Sequence, residues 1–169
     1  MTTTTSSTRW FLVCAPASVG TARRHAVTQL RSWGYRFDED VAMTFALLVS
    51  ELVTNACLHG RGDFLTVALV ARGEEVFVEV LDASNVAPRQ LRAGAGDEGG
   101  RGMFLVDALS RSWGTQSTPR GKAVWFTYTL PPQPAPSRRA RRAGLLHALT
   151  RRPRPRIRVG ARPALSAQT

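Results

Sequence analysis

Glu51-Leu52-Val53-Thr54-Asn55-Ala56-Cys57-Leu58-His59-Gly60 is the stretch on which the fold turns. A helix brings every fourth residue round to the same side, so Glu51, Asn55 and His59 share one face, and all are polar in a run that also holds Leu47, Leu48, Leu52 and Leu58. Polar groups placed among apolar ones need partners. An Asn amide oxygen can ligate Mg²⁺, and a carboxylate one turn away can orient or deprotonate a nucleophile. The plain alternative is a half-exposed face, with Glu51 and Asn55 in solvent and His59 at the helix end. Upstream, Asp38 is an N-cap candidate, and Glu39 and Asp40 stand where the helix dipole favours acid. The spacing therefore predicts the longest helix of the chain, from Asp38 to His59 and Gly60.

Working outward, Phe64–Ala71 and Val76–Leu81 read as paired strands about a turn at Arg72-Gly73-Glu74-Glu75. The second ends in Asp82, and an acid at a strand end facing a pocket can accept a hydrogen bond from an exocyclic amine such as that of adenine. A loop of roughly twenty residues without a packing face follows, a length that is usually functional or disordered. It closes with Gly99-Gly100-Arg101-Gly102 directly before a helix over Met103–Leu109, where backbone amides can cradle phosphates. Ser112–Gln116, a turn at Pro119-Arg120-Gly121 and Ala123–Leu130 complete the folded part. On the N-terminal side, Trp10–Cys14 reads as a short strand, and Ser18 caps a helix to Trp33 that carries Arg23, Arg24 and Arg31 on its polar face. Residues 1–9 read as a disordered leader, 10–130 as one domain, and 131–169 as a disordered Pro/Arg-rich tail.

SELVTNACLHG, VEVLDAS, GGRGMFLVDALS and GKAVWFTYTL resemble, in that order, the N box, G1 box, G2 box and final strand of the Bergerat-fold (GHKL) ATPases, most closely the small bacterial anti-sigma factor serine/threonine kinases. The resemblance covers residues 10–130. It implies an α+β two-layer sandwich: a mixed, mostly antiparallel sheet with helices on one face and ATP held with Mg²⁺. By motif, Glu51 becomes the general base, Asn55 the metal ligand and Asp82 the adenine partner, with Gly100 and Gly102 against the phosphates; His59 joins the nucleotide-binding set, and Arg101 is the positive charge nearest the glycine run to meet a γ-phosphate. Arg23 stands where such kinases present an arginine to a protein partner. The implied partners are a sigma factor and a STAS-type anti-sigma-factor antagonist whose serine accepts the phosphate, and a homodimer is implied as well. One departure is plain: relatives write the G1 box Asp-x-Gly-x-Gly, and here it is Asp82-Ala83-Ser84-Asn85-Val86. Backbone approach to a nucleotide is less free without those glycines. Two readings follow, a kinase that also sequesters a sigma factor, or a nucleotide-gated binding switch without significant transfer.

At 169 residues the chain is one domain with an extension, too short for a large multidomain ATPase. Its formal charge of +11 is unevenly placed: all 12 acids lie before residue 131, and the tail beyond has none and is rich in Arg. Basicity therefore belongs to the tail, which implies contact with nucleic acid or an anionic membrane, or a solubilising extension. Gly94-Ala95-Gly96-Asp97-Glu98-Gly99 has no strand before it, which disfavours a dinucleotide site, and Gly121-Lys122-Ala123 lacks the Ser/Thr of a P-loop. A sensor histidine kinase needs a helical hairpin with an acceptor His, and only one helix, bearing His25, precedes the long one. No segment reads as a signal peptide or membrane span, which gives a cytoplasmic expectation with Cys14 and Cys57 as reduced thiols.

Overall fold

The computed structural model describes residues 4–60, 62–83, 98–119 and 121–133, with the backbone alone for 98–101. The chain divides into units Met1–Pro134 and Ala135–Thr169. The second lies outside the described residues, as do the expected tail beyond Gln133, the loop over 84–97 and the altered part of the G1 box. In order the elements are β1 (Thr5–Val13), α1 (Pro16–Ser32), α2 (Glu39–His59), β2 (Phe64–Arg72), β3 (Glu75–Asp82), α3 (Glu98–Leu109), β4 (Ser112–Thr118) and β5 (Gly121–Thr129).

The strands form one sheet in the order β1-β2-β3-β5-β4, and every pairing is antiparallel. The mixed sheet expected from sequence is corrected on this point, and connectivity explains why. Helices α1 and α2 together make one round trip, so β2 re-enters against β1. Among the described residues one helix, α3, lies between β3 and β4, which run the same way and would be parallel if they were neighbours. Strand β5 inserts between them and pairs antiparallel with both.

One sheet face is covered by the helices. Leu65, Val67 and Leu69 of β2, Val76, Val78 and Val80 of β3, and Val124 and Phe126 of β5 alternate onto that face and are buried with Ala22, Ala26 and Leu30 of α1 and Phe45, Leu48, Leu52 and Val53 of α2. Phe45 meets Phe126 edge-to-face at 6.0 Å between ring centroids. Each fully buried Val, Leu or Phe among them stabilises the fold by about 1.5–3 kcal/mol relative to exposure. Contrary to the sequence reading, α2 is long and apolar enough to cross a membrane, with mean hydropathy 1.7 over its richest window. Phe45, Leu48, Val49, Leu52 and Val53 of this helix are buried in the core it shares with α1 and the sheet, while Met43, Leu47 and Leu58 are exposed.

Asp38 caps α2 as its sequence predicts, accepting from the Val41 amide at 2.9 Å. Ser18 does not cap α1. The helix starts at Pro16, whose fixed φ suits a first turn, and the Ser18 hydroxyl donates to the Val13 carbonyl at 2.6 Å, fastening the β1–α1 corner. The leader is corrected too: β1 begins at Thr5, and Thr5–Arg9 pair with Arg72–Ala68. A nine-residue β2 offers that length of partner, and β-branched Thr suits it. At the other end, Gln133 exchanges hydrogen bonds with the Arg36 backbone at 2.8 and 3.1 Å, so ordered packing continues past residue 130. His25 stacks on Trp10 with centroids 4.5 Å apart, a structural placement.

Candidate active site

Glu51, Asn55 and His59 line one cavity of about 50 Å³, together with Thr54, Leu58, Gly102 and Met103. The helical spacing read from the sequence thus does bring these polar residues to a common space. Glu51 and Asn55 are half-buried and His59 is exposed at the end of α2. The opposite wall is α3, held down by buried Met103 and Val106 and tied to β4 by the Trp113 indole, which donates to the Asp107 carboxylate at 2.7 Å.

Gly102 explains how closely the two helices approach. A Cβ placed there would collide with the Glu51 carboxylate oxygen and lie 3.3 Å from its Cδ. The sequence reading gave this glycine to phosphate contact; its described neighbour is the candidate base. The glycines also sit differently from expectation: α3 starts at Glu98, so Gly99 and Gly100 form its first turn and do not precede it. The amides of that turn, Gly100's among them, have no partner within the helix, the arrangement by which a helix N-terminus receives an anion. The Arg101 side chain lies outside the described residues. Burial pushes the Glu51 carboxyl above the usual carboxylate range, toward the pH at which a general base works best.

Asp82 occupies a different position. It is 3 % exposed at the end of β3 and lies outside the cavity lining. Directly across the sheet ladder stands Lys122 of β5, whose ammonium is 3.6 Å from the Asp82 carboxylate. Sequence reasoning considered Lys122 only as a failed P-loop lysine. The missed signal was register: the chain's single lysine falls opposite a strand-ending acid. Gly60 packs on the same carboxylate, since a Cβ there would stand 3.1 Å from the Asp82 Cβ and Cγ, so the end of α2 presses against the end of β3. Asp82 is therefore one residue away from the Glu51–His59 segment through Gly60. Arg23 is exposed on α1 and takes no part in the cavity.

The donor set fits a lightly held hard cation. Asn55 and Glu51 offer oxygens, the donor type that Mg²⁺ takes from one or two protein ligands while water and phosphate oxygens supply the rest.

Cys14 and Cys57 are joined as a disulfide, which corrects the expectation of reduced thiols. They are 43 residues apart in sequence, and only the packing of α2 against the β1–α1 corner makes them neighbours.

Residues 12–128 match the histidine kinase-like ATPase domain, which is most of the chain. No curated protein matches it.

Proposed function

The chain belongs to the histidine kinase-like ATPase family, and from that premise we propose that it is an Mg·ATP-dependent serine/threonine kinase of the anti-sigma factor type. In this reading it binds a sigma factor and phosphorylates a STAS-type antagonist of that binding. The observation that supports it best is the shared cavity of Glu51 and Asn55 under Gly102. Asn55 would hold the metal, which neutralises phosphate charge when bound. Glu51 takes the proton from the acceptor hydroxyl, and its raised pKa makes it a stronger base than a solvated glutamate. The α3 amides around Gly100 fix the anionic groups in place. Arg23, out on α1, is left to contact the protein partner.

The altered G1 box favours the second reading, a nucleotide-gated binding module without significant transfer. Incubation with labelled ATP, Mg²⁺ and a panel of STAS-type proteins separates the two. The kinase reading expects label on one panel member and its loss with Arg23→Glu at unchanged ATP affinity. Nucleotide binding with an unlabelled panel supports the switch. A homodimer belongs to this proposal, and Phe11, Val13 and Phe64, exposed on β1 and β2, are candidates for its contact; sedimentation equilibrium showing only monomer removes it. The Arg-rich tail adds charge-driven contact with nucleic acid or anionic membrane, which deletion of 134–169 abolishes if it is real.

Gly102→Ala provides a sharper check on the site. Alanine suits a helix better than glycine by about 1 kcal/mol, which offsets the crowding, because the colliding atom is the movable end of the Glu51 side chain. The melting temperature is expected to stay within a few degrees of wild type. The displaced carboxylate is expected to slow transfer on the order of 100-fold. An unaltered rate would show that Glu51 need not stand where it does.

A further inference from the structure

We propose that Cys14 and Cys57 form a reversible redox site that reports the thiol–disulfide state of the surroundings to the Glu51–His59 segment. Its co-reactant is a low-molecular-weight disulfide. The regulatory half of this proposal rests on the nucleotide-binding reading above; the redox half does not.

Position carries the argument. The Cα atoms are 5.3 Å apart, inside the span a disulfide needs, so the bond can form and break without backbone rearrangement. Both residues are half-buried and packed against the margin of the core, and exchange requires a small thiol to reach only one of the two sulfurs. Cys57 lies two residues from Asn55 and two from His59, each of which lines the cavity. On a helix that offset turns Cys57 to the opposite side, so the bond grips α2 from behind without obstructing the cavity. Its other end is the β1–α1 corner, where the Cys14 amide donates to the Asp63 carbonyl at 2.7 Å and the Ser18 hydroxyl holds Val13. The oxidised pair thereby fastens the last turns of α2, the part of a helix that frays most readily, to a corner that is itself anchored. Reduction leaves that segment held by packing and backbone bonds alone.

The chemistry balances as ordinary exchange. One cysteine thiolate attacks the small disulfide RSSR, forming a mixed disulfide and releasing RS⁻; the second cysteine sulfur attacks the mixed disulfide and releases another RS⁻. The two cysteine protons end on the two RSH products, the protein is oxidised by two electrons, and RSSR is reduced by two. Where thiol reductants dominate, such a bond is transient, which is the behaviour of a sensor more than of a staple.

The test uses the full chain equilibrated with oxidised glutathione or with dithiothreitol, followed by non-reducing peptide mapping, thermal melting and Mg·ATP titration. The oxidised sample is expected to yield a Cys14–Cys57 linked peptide, to melt on the order of 10 °C higher, and to bind nucleotide at least about fivefold more tightly. Cys14→Ser and Cys57→Ser are each expected to melt like the reduced protein and to ignore the oxidant; the corner variant Cys14→Ser suffices should the helix variant not fold. Glutathione adducts without the internal link overturn the proposal. So does a link whose formation leaves nucleotide affinity within about twofold. If neither redox state binds nucleotide, the kinase reading fails, and the redox site stands or falls on the linked peptide and the melting shift.

Discussion

Glu51→Gln is expected to reduce phosphoryl transfer by about 10²–10⁴-fold while leaving Mg·ATP binding within a few-fold of wild type. Glutamine keeps the size and the carbonyl oxygen of the side chain but cannot accept a proton, so the loss falls on the step and not on the fold. The same substitution separates two consequences of burial. Because partial burial raises the folded-state pKa of Glu51 above its value in the unfolded chain, the residue contributes stability only while it is protonated. That contribution is complete below the unfolded value and is lost as pH rises through the folded one. Wild type and Glu51→Gln are therefore expected to melt together in acid, with Gln ahead at neutral pH. Transfer by wild type runs the other way, rising with pH as the carboxylate deprotonates, with its midpoint above that of an ordinary glutamate. A glutamine variant that still transfers phosphate at the wild-type rate removes Glu51 as the base. One that gains no stability at neutral pH shows that the carboxylate is not desolvated at all.

The sequence carried the central helix and its polar face unusually clearly, for a physical reason. Four-residue spacing is local, and so are the Asp38 cap and the turn at Gly73; each can be read within one window, and α2, β2 and β3 appear close to the expected bounds. What escaped was set by partners distant in sequence. Thr5–Arg9 look like a polar leader until β2 offers them a ladder. Lys122 is an unremarkable strand residue until register places it across from Asp82. Cys14 and Cys57 have no local relation, and the helix packing that joins them is invisible in either neighbourhood. Gly102 is expected from sequence to stand against a phosphate; in the fold its near neighbour is the Glu51 carboxylate, a contact between two helices that no spacing rule relates.

Asp82→Ala is expected to be the most destabilising single change, at about 3–5 kcal/mol, because it leaves the Lys122 ammonium buried without the carboxylate opposite it. The cost arises from the orphaned charge more than from the lost attraction, and that distinction can be measured. Adding Lys122→Met removes the charge together with its partner, and apolar replacement of a buried pair is commonly neutral or better. Chemical denaturation is therefore expected to show the double variant recovering most of the stability that Asp82→Ala loses. Recognition does not follow the same course. If Asp82 accepts from the adenine amine, no hydrophobic repair supplies another acceptor, so the double variant is expected to be folded and still defective toward ATP. A double variant as unstable as Asp82→Ala would mean that Asp82 supports the fold through contacts other than Lys122. Wild-type ATP affinity in a well-folded double variant would mean that base recognition resides elsewhere, and that the buried pair exists to fix the β3–β5 register beside Gly60.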